Sequence, residues 1–250
     1  MGAVRGTRPR ARRRPLIPQA SAQEGGWRVL ERHASPAALH GELPDPEGKR
    51  LVCVCVPSVR AVVIGSAQPA ADFDGERLRS SGLGLVRRRS GGGAVIVAPE
   101  LQVWVDLFVP SGDVLAEPDV GKSFYWLGDA YAGAIARVLG QSSESAAIEV
   151  HRGRAQSTPW SKVLCYAGLG AGEVTVAGRK VVGMSQRRDR SGAWIHSMAV
   201  VGPQQGELAD LLAGTSEHRR AARAELEETG LRHPGHLVGP LTGELLDRLP

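Results

Sequence analysis

The chain has 250 residues, of which 42% are hydrophobic and 23% charged, so it can form a full hydrophobic core. It contains no run of eighteen apolar residues, and the sequence therefore predicts no membrane-spanning helix. The formal net charge is +5, but six arginines and no acidic residue lie in residues 1–23, which leaves 25 of the 31 basic residues against all 26 acidic ones in the rest. This distribution argues against nucleic-acid binding by the rest of the chain.

Residues 1–25 are rich in Arg, Pro and Gly and have no apolar periodicity, so we expect a disordered basic tail. The segment also lacks the continuous apolar core of a secretory signal. The three cysteines, Cys53, Cys55 and Cys165, are too few for a disulfide framework and do not have zinc-ligand spacing. We therefore expect a cytoplasmic protein without a metal site of its own.

The first half of the chain is rich in short apolar runs that predict β-strands. A short strand starts near Trp27, and Ser35-Pro36 predicts the start of a small helix that runs to His40. The further elements predicted here are strands at 51–56 and 61–65, a short helix within 72–82, and strands at 85–89, 94–98 and 102–110. In the last strand Val103, Val105, Leu107 and Val109 share one face.

The second half contains the longest predicted helix, over 124–138, with Asp119 or Ser123 as its cap and Gly140 at its end. Two strands joined by Ala177-Gly178 predict a hairpin. The predicted elements after the long helix are strands at 173–176, 179–186 and 194–201, then helices at 207–213, 216–229 and 242–249. Many strands with interspersed helices indicate an α+β fold, with a mixed, mostly antiparallel sheet and packed helices.

A glycine-rich loop follows three arginines in Arg87–Gly93, written RRRSGGG. Three consecutive glycines let the backbone approach a ligand closely and turn N–H groups toward a carboxylate or phosphate. Neighbouring arginines could add charge-assisted contacts to the same anion. The alternative is a glycine-rich turn beside a solvated strand edge. A Walker loop is excluded, because no Gly-Lys-Ser/Thr follows.

Lys180 lies on the second strand of the predicted hairpin, on the face that Val182 and Met184 share. A lysine on a half-buried face needs an anion or a functional role, whereas an edge lysine on the solvent side would need neither. Cys165, 15 residues earlier, is either a small buried thiol or a nucleophile, if the hairpin folds back over it. His196 is expected to be structural or to form a wall of a pocket.

The two stretches LVRRRSGGGAVIV (85–97) and GRKVVGMSQRR (178–188) resemble the two motifs of the lipoate-protein ligases, members of the biotin/lipoate ligase superfamily. The resemblance implies a catalytic domain over 26–205, with a helical segment over 206–250 packed on it or following it. It implies an enzyme that attaches lipoyl or octanoyl chains to a lysine of a lipoyl domain, through an acyl-adenylate made with ATP and Mg²⁺. The partners implied are lipoyl-domain proteins of 2-oxoacid dehydrogenase complexes or the glycine cleavage H protein.

The resemblance also implies roles for particular residues. Lys180 would bind the activated carbonyl and the phosphate oxygens. The residues expected to line the acyl and adenylate site are Arg88, Ser90, Gly91, Gly92, Gly93, Ala94, Gly183, Ser185 and His196.

The sequence departs from the ligase pattern in three places. The family usually has His-Asp after the Gly-Ala-Val strand, where this chain has Val97-Ala98-Pro99-Glu100. The family's His-Gly-Ser/Thr is replaced by His196-Ser197-Met198. Only about fifty residues follow the core, so we expect no sizeable accessory domain.

Two alternatives therefore stay open. In the first, the chain resembles cysteine-dependent octanoyltransferases through Cys165-Tyr166 and Ser185-Gln186-Arg187. Cys165 would then take an octanoyl chain from acyl carrier protein, and Lys180 would help to deliver it to the target lysine. This mechanism needs no cofactor. In the second, the chain is a non-catalytic module that binds lipoate or another acyl group.

Overall fold

In the computed structural model, which describes residues 26–140, 147–227, 229–231 and 237–250, the chain folds around a seven-stranded sheet. Its strands in chain order are β1 (Arg28–Ala34), β2 (Leu51–Pro57), β6 (Gln102–Pro110), β7 (Ile148–Val150), β8 (Val174–Val176), β9 (Arg179–Arg188) and β10 (Gly192–Val200). They lie in the order β1-β2-β6-β10-β9-β8-β7. β1 and β2 are parallel and the other neighbours antiparallel, which confirms the predicted α+β fold with a mostly antiparallel sheet.

A second sheet is formed by three short strands, β3 (Ala61–Ile64), β4 (Gly84–Arg87) and β5 (Val95–Val97), in the order β4-β3-β5. The sequence predicted these strands but not their separation into a sheet of their own. The periodicity of a strand indicates which of its faces is buried, but it does not indicate which other strand pairs with it in a sheet. This small sheet carries the glycine-rich loop, which joins β4 to β5.

The helices are α1 (Pro36–Gly41), α2 (Gly75–Ser80), α3 (Tyr125–Leu139), α4 (Gln205–Asp210), α5 (Ser216–Leu226) and α6 (Val238–Leu246). Ser35 caps α1 as predicted, since its side chain accepts from the Ala38 amide. In the described residues no helix is both long and apolar enough to cross a membrane.

Several predicted boundaries were wrong. Neither Asp119 nor Ser123 caps α3, because a 3₁₀ turn, Lys122–Phe124, leads into the helix and Asp119 accepts from the amides at the start of that turn instead. α6 begins four residues before the predicted 242, and β7 was missed. The expected tail at 1–25 and residue 228 of the predicted helix 216–229 lie outside the described residues.

Two hydrophobic cores lie on opposite faces of the large sheet. One is shared with the small sheet, α4 and α5, and the other with α3 and α6. The alternation of β6 divides the strand between them: Val103, Val105, Leu107 and Val109 face the α3 side as predicted. Trp104 and Phe108 face the small sheet, and Asp106 stands between them in the alternation. A buried carboxylate therefore lies on the face that meets the glycine-rich loop.

Gly65, directly after β3, fixes the distance between the small sheet and the glycine-rich loop. A Cβ atom at Gly65 would lie 1.9 Å from the carbonyl oxygen of Gly92, so no other residue fits without moving backbone. Gly84 in β4 has no atom within 4 Å of the corresponding position. Replacing glycine by alanine should therefore displace the backbone at Gly65 and leave it undisturbed at Gly84.

We expect Gly65→Ala to lower the free energy of unfolding by about 1–3 kcal/mol, because the added methyl group forces the loop away from β3. Gly84→Ala is the matched control and should stay within about 0.5 kcal/mol of the wild type. Urea unfolding of the two variants checks this, and equal stability of both would show that the Gly65–Gly92 contact does not constrain the loop.

Candidate functional site

Arg88 holds the glycine-rich loop in its conformation. Its buried guanidinium donates from Nε and Nη2 to the carbonyl oxygen of Gly91 at 3.2 and 2.7 Å, and from Nη2 to that of Gly93 at 2.8 Å. Gly92, with φ at +97°, takes the left-handed conformation that closes this turn. Two of the loop's carbonyl groups face Arg88, and the amide N–H groups of Gly91, Gly92 and Gly93 donate to no other described residue. Three adjacent N–H groups of this kind suit an anion or an oxyanion.

The end of the loop packs directly on the turn that carries Cys165. The Ala94 amide donates to the carbonyl oxygen of Val163 at 2.7 Å, and the Cys165 amide donates to that of Ala94 at 3.0 Å. A Cβ atom at Gly93 would lie 2.7 Å from the Leu164 nitrogen and 2.8 Å from the Cys165 nitrogen. Only glycine allows this approach, which places the half-buried Cys165 against the loop.

Lys180 is buried, and protein acceptors occupy all three of its donor positions. Its Nζ lies 2.6 Å from Glu173 Oε2, 2.8 Å from the carbonyl oxygen of Cys165 and 2.9 Å from that of Gly168. Glu173 also accepts from the Gly170 and Met184 amides at 2.6 and 3.0 Å. The anion that a buried lysine needs is therefore supplied by the protein itself.

Glu173 was missed by the sequence analysis. The signal that could have identified it is an acidic residue one position before the first hairpin strand, seven residues from Lys180. The hairpin brings the two together, because the strands run antiparallel and the lysine side chain reaches back over the turn of Cys165.

An open cleft of about 430 Å³ joins these parts. Its lining includes the following predicted site residues: Arg88, Gly91, Gly92, Gly93, Cys165, Lys180 and Ser185. Ser90 is buried beneath the loop, with its hydroxyl 2.9 Å from that of Ser185, and Ala94 lies in the core. The roles predicted for these residues stay predictions, and the structure brings the two motifs to one cleft.

A narrower cavity of about 50 Å³ lies on the other side of the same residues. Arg88, Cys165, Met184 and Ser185 line both the cleft and this cavity. The narrow cavity is otherwise mainly apolar, and its further lining consists of Val63, Val95, Val97, Tyr166, Gly183, Ser197, Met198 and three polar or aromatic side chains, His40, Trp104 and His196. Gly183 and His196 therefore lie at the narrow cavity and not at the cleft.

A buried polar cluster lies beside the narrow cavity, which His40, Trp104 and His196 line and Asp106 does not. His196 Nδ1 lies 2.9 Å from Asp106 Oδ1, an ion-pair contact without hydrogen-bond geometry, and Trp104 Nε1 donates to the same oxygen at 2.7 Å. Burial opposes ionisation of Asp106, but the charge of His196 and the Trp104 hydrogen bond outweigh it and lower the pKa of the carboxyl group.

His40 completes this cluster from the end of α1. Its ring lies 4.5 Å from the Trp104 ring and 6.0 Å from the His196 ring. Burial lowers the pKa of His40 to about 4, so the ring is neutral near pH 7. Asp106 and His40 were both missed by the sequence analysis.

Comparisons with known proteins identify a matching family and similar folds. The family described as "Lipoyl protein ligase A/B catalytic domain" matches residues 34–230. No curated protein sequence matches the chain.

Solved structures show a similar fold at low identity. A bipartite lipoate protein ligase from Thermoplasma acidophilum, studied with its E2 lipoyl domain, has a TM-score of 0.65 at 17% identity and covers 89% of this chain and 82% of that one. Another solved structure from T. acidophilum, of a protein assigned as a lipoate protein ligase and with bound lipoic acid, has a TM-score of 0.53 at 19% identity, with 82% and 84% covered. A lipoate-protein ligase A bound with ATP has a TM-score of 0.52 at 17% identity, with 87% and 93% covered.

The buried pair of Glu173 and Lys180 generates a stability prediction. Glu173→Gln leaves the ammonium group buried without its counter-charge, and we expect it to lower the free energy of unfolding by about 3 kcal/mol. The double variant Glu173→Gln/Lys180→Met should recover most of this loss, because no unpaired charge is left and Gln can still accept from the Met184 amide. Asp129→Ala, which breaks the exposed pair with Arg152, should cost less than about 1 kcal/mol. A double variant as unstable as Glu173→Gln alone would contradict this account.

His40 generates a prediction about pH. The unfolded chain takes up a proton on this residue near pH 6.5 and the folded chain only near pH 4, so acid favours the unfolded state in this window. Between pH 6.5 and 4 the wild type should lose about 3 kcal/mol more stability than His40→Leu. Urea unfolding over this pH range measures the difference. His33→Leu, at a partly exposed histidine of β1, is the control and should follow the wild type.

Proposed function

Because the chain belongs to the family of lipoyl protein ligase A/B catalytic domains, we propose that it transfers a lipoyl or octanoyl chain to a lysine of a lipoyl-domain protein through a thioester on Cys165. The position of Cys165 carries this proposal: the residue lines both the narrow, mainly apolar cavity and the open cleft. An acyl chain that runs from Cys165 toward the cavity, which would have to widen beyond its volume of about 50 Å³ to hold the chain, would have its carbonyl group at the sulfur, and an acceptor lysine could reach that carbonyl from the cleft.

The transfer takes two steps. The Cys165 thiolate attacks the carbonyl group of the thioester on an acyl-carrier protein, a new thioester forms on Cys165, and the carrier sulfur leaves as a thiolate. The amine of the acceptor lysine then attacks the Cys165 thioester, an amide bond forms, and the sulfur leaves as a thiolate while the amine gives up a proton. No oxidant or nucleotide is needed for either step.

The residues around Cys165 support this chemistry. The Arg88 guanidinium lies close enough to Cys165 for the two to interact electrostatically, although burial dominates and lowers the pKa of Arg88. Gly91, Gly92 and Gly93 line the same cleft, and their N–H groups, which have no partner among the described residues, would suit the oxyanion that forms in each step. Lys180 Nζ donates to the carbonyl oxygen of Cys165, and this hydrogen bond holds the turn that positions the sulfur.

ATP-dependent ligation is a second candidate, and the same glycine-rich loop favours it. The unpaired N–H groups beside an open cleft of about 430 Å³ also fit a phosphate group, and ATP with Mg²⁺ would activate the carboxylate of lipoate or octanoate. Arg88 and Lys180, the cations of the cleft, are engaged by protein acceptors. The described residues offer no cluster of three His, Cys, Asp or Glu side chains for a metal ion, so Mg²⁺ would be held mainly by phosphate oxygens and water.

A two-tube assay distinguishes these candidates. One tube offers octanoyl-carrier protein without ATP and the other offers lipoate or octanoate with ATP and Mg²⁺, and the mass of a lipoyl domain or a glycine cleavage H protein is measured in both. We expect a mass gain in the first tube that falls at least about 100-fold in Cys165→Ala, because the nucleophile is lost. Cys53→Ala, at a buried thiol outside both cavities, is the matched control and should retain transfer.

The other outcomes identify the alternatives. A mass gain that requires ATP and survives Cys165→Ala would overturn the thioester and favour the ligase. No gain in either tube, with lipoate bound, would favour a non-catalytic acyl-binding module. Lys180→Ala should abolish acylation in both enzymatic mechanisms.

A further inference from the structure

The net charge of the chain conceals a local excess of basic residues around the open cleft. The segments that line the cleft are 87–93, 117–124, 151–173 and 180–190. Of the 25 basic and 26 acidic residues that follow residue 23, these segments hold eleven basic and four acidic ones, which leaves 14 basic and 22 acidic residues for the rest. The positive charge is therefore concentrated where an acceptor protein would approach.

Three exposed cations form what we call the basic rim of the cleft. Each is the immediate chain neighbour of a residue that lines the cleft, and they are Arg154, Lys162 and Arg187. Within the part of the chain that the structure describes, none of their side chains forms a hydrogen bond or an ion pair. The rim therefore offers positive charge that the protein itself does not neutralise by direct contact.

The acidic residues of the same segments are engaged locally. Glu117 accepts from the Asp119 amide, Asp119 accepts from the two amides that begin the next turn, and Asp189 accepts from the Ser191 amide. The fourth acidic residue, Glu173, is buried and paired with Lys180. Asp189 also interacts electrostatically with Arg187, but Arg154 and Lys162 have no such partner among the described residues.

Two different elements carry the basic rim. Arg154 and Lys162 lie in the segment 151–163, which contains no acidic residue. Backbone hydrogen bonds fix this segment against the cleft, because the Gln156 amide donates to the Leu169 carbonyl at 2.8 Å and the Leu169 amide donates back at 2.9 Å. Two of the three cations are therefore presented by a backbone that is held in place.

Arg187 comes from strand β9 on the side of the glycine-rich loop. It lies two residues beyond Ser185 and hence on the same face of the strand. The Ser185 hydroxyl lies 2.9 Å from that of Ser90 in the loop. The cations consequently stand at the segment 151–163 and near the loop, with the entrance to Cys165 between them.

The charge of the rim restricts which acceptor can approach. A lysine ammonium group is itself a cation, so an acceptor with a neutral or basic face would be repelled by the rim. Carboxylates around the target lysine reverse the sign of this interaction and steer the encounter. Once the lysine is between the cations, their charge favours its neutral amine, which is the form that attacks the carbonyl group.

We propose that the basic rim of Arg154, Lys162 and Arg187 docks an acceptor protein whose target lysine is surrounded by Asp and Glu residues. The proposal rests on the acyl transfer proposed above and names the chemistry of its protein partner. The acidic face of the acceptor contacts the rim, and the lysine side chain alone enters the cleft and reaches the carbonyl group at Cys165.

Charge reversal at the rim tests this with an unmodified lipoyl domain as the acceptor. Arg154→Glu/Lys162→Glu should raise the KM for the domain at least about tenfold at about 50 mM NaCl and change kcat less than about threefold, because docking precedes the chemistry. Arg187→Glu should act in the same direction. The effect should shrink at about 500 mM NaCl, where exposed charges are screened.

The matched control reverses two exposed cations outside the segments that line the cleft. Lys49→Glu/Arg79→Glu makes the same change in net charge and should leave the KM within about twofold of the wild type. A small acceptor, Nα-acetyl-lysine amide, carries no carboxylate. Its acylation should be as fast or faster in the rim variants than in the wild type, which a merely damaged fold would not produce.

The acceptor provides the complementary test. Replacing the Asp and Glu residues within about 10 Å of its target lysine by Asn and Gln should raise the wild-type KM and abolish its salt dependence. Equal KM values for the rim variant and its control, or equal use of the two acceptor forms, would overturn the proposal. Tighter binding of a short single-stranded RNA than of the domain, lost in the rim variant, would overturn it in favour of nucleic acid.

A binding measurement separates this proposal from the acyl transfer. If no chain is transferred in any assay, the proposed transfer fails, and calorimetric titration of the unmodified lipoyl domain decides the docking alone. Binding to the wild type and to Lys49→Glu/Arg79→Glu that weakens at least about tenfold in Arg154→Glu/Lys162→Glu supports it. Equal binding to all three proteins, or no binding to the wild type, overturns it.

Discussion

The close contact between the glycine-rich loop and the turn of Cys165 is the constraint on which the site depends. The loop is packed so closely on both of its sides that no added side chain fits. Gly93 lies against the backbone of Leu164 and Cys165, and on the other side Gly92 lies with its carbonyl group against Gly65. Three segments distant in sequence are thereby fixed to one another through backbone atoms. A site held in this way has little freedom to rearrange when a ligand arrives, which is what preorganised stabilisation of a reacting group requires.

The charged groups of the site form their hydrogen bonds and ion pairs with other groups of the protein. Arg88 donates to carbonyl groups of its own loop, Lys180 is paired with Glu173 and two carbonyl groups, and Asp106 is paired with Trp104 and His196. Each of these groups would be costly in the interior without such partners. Arg88 and Lys180 consequently determine where the loop and the sulfur lie, and the hydrogen-bonding groups left for a ligand in the cleft include the N–H groups of the three glycines and neighbouring polar side chains such as Ser157.

The sequence predicted the elements of the fold and the two motifs of the site, but not the partners that give them their geometry. The hairpin was predictable because Ala177-Gly178 is a turn signal between two apolar strands, and both residues have positive φ in the structure. The pairing of Asp106 with His196 was not predictable, because it depends on the register between β6 and β10, strands about ninety residues apart. The unusual environment of Asp106 was nevertheless visible in QVWVDLFVP, since its carboxylate interrupts the apolar face that Trp104 and Phe108 share.

In the transfer proposed above, the narrow cavity would receive the acyl chain and the open cleft would admit the acceptor lysine. Cys165, Arg88, Met184 and Ser185 lie where the cavities meet, whereas the polar cluster lies beside the narrow cavity alone and the three glycines of the loop line the cleft. Side chains of β6, β10 and α1 line the narrow cavity without contributing to the glycine-rich loop. Substitutions at His40 or His196 would therefore alter the narrow cavity and leave the backbone contacts among the loop, the turn of Cys165 and Lys180 in place. The proposed division of labour thus follows from which elements line each space, since the loop is held by Arg88, Gly65 and Leu164 and not by the walls of the narrow cavity beyond Arg88.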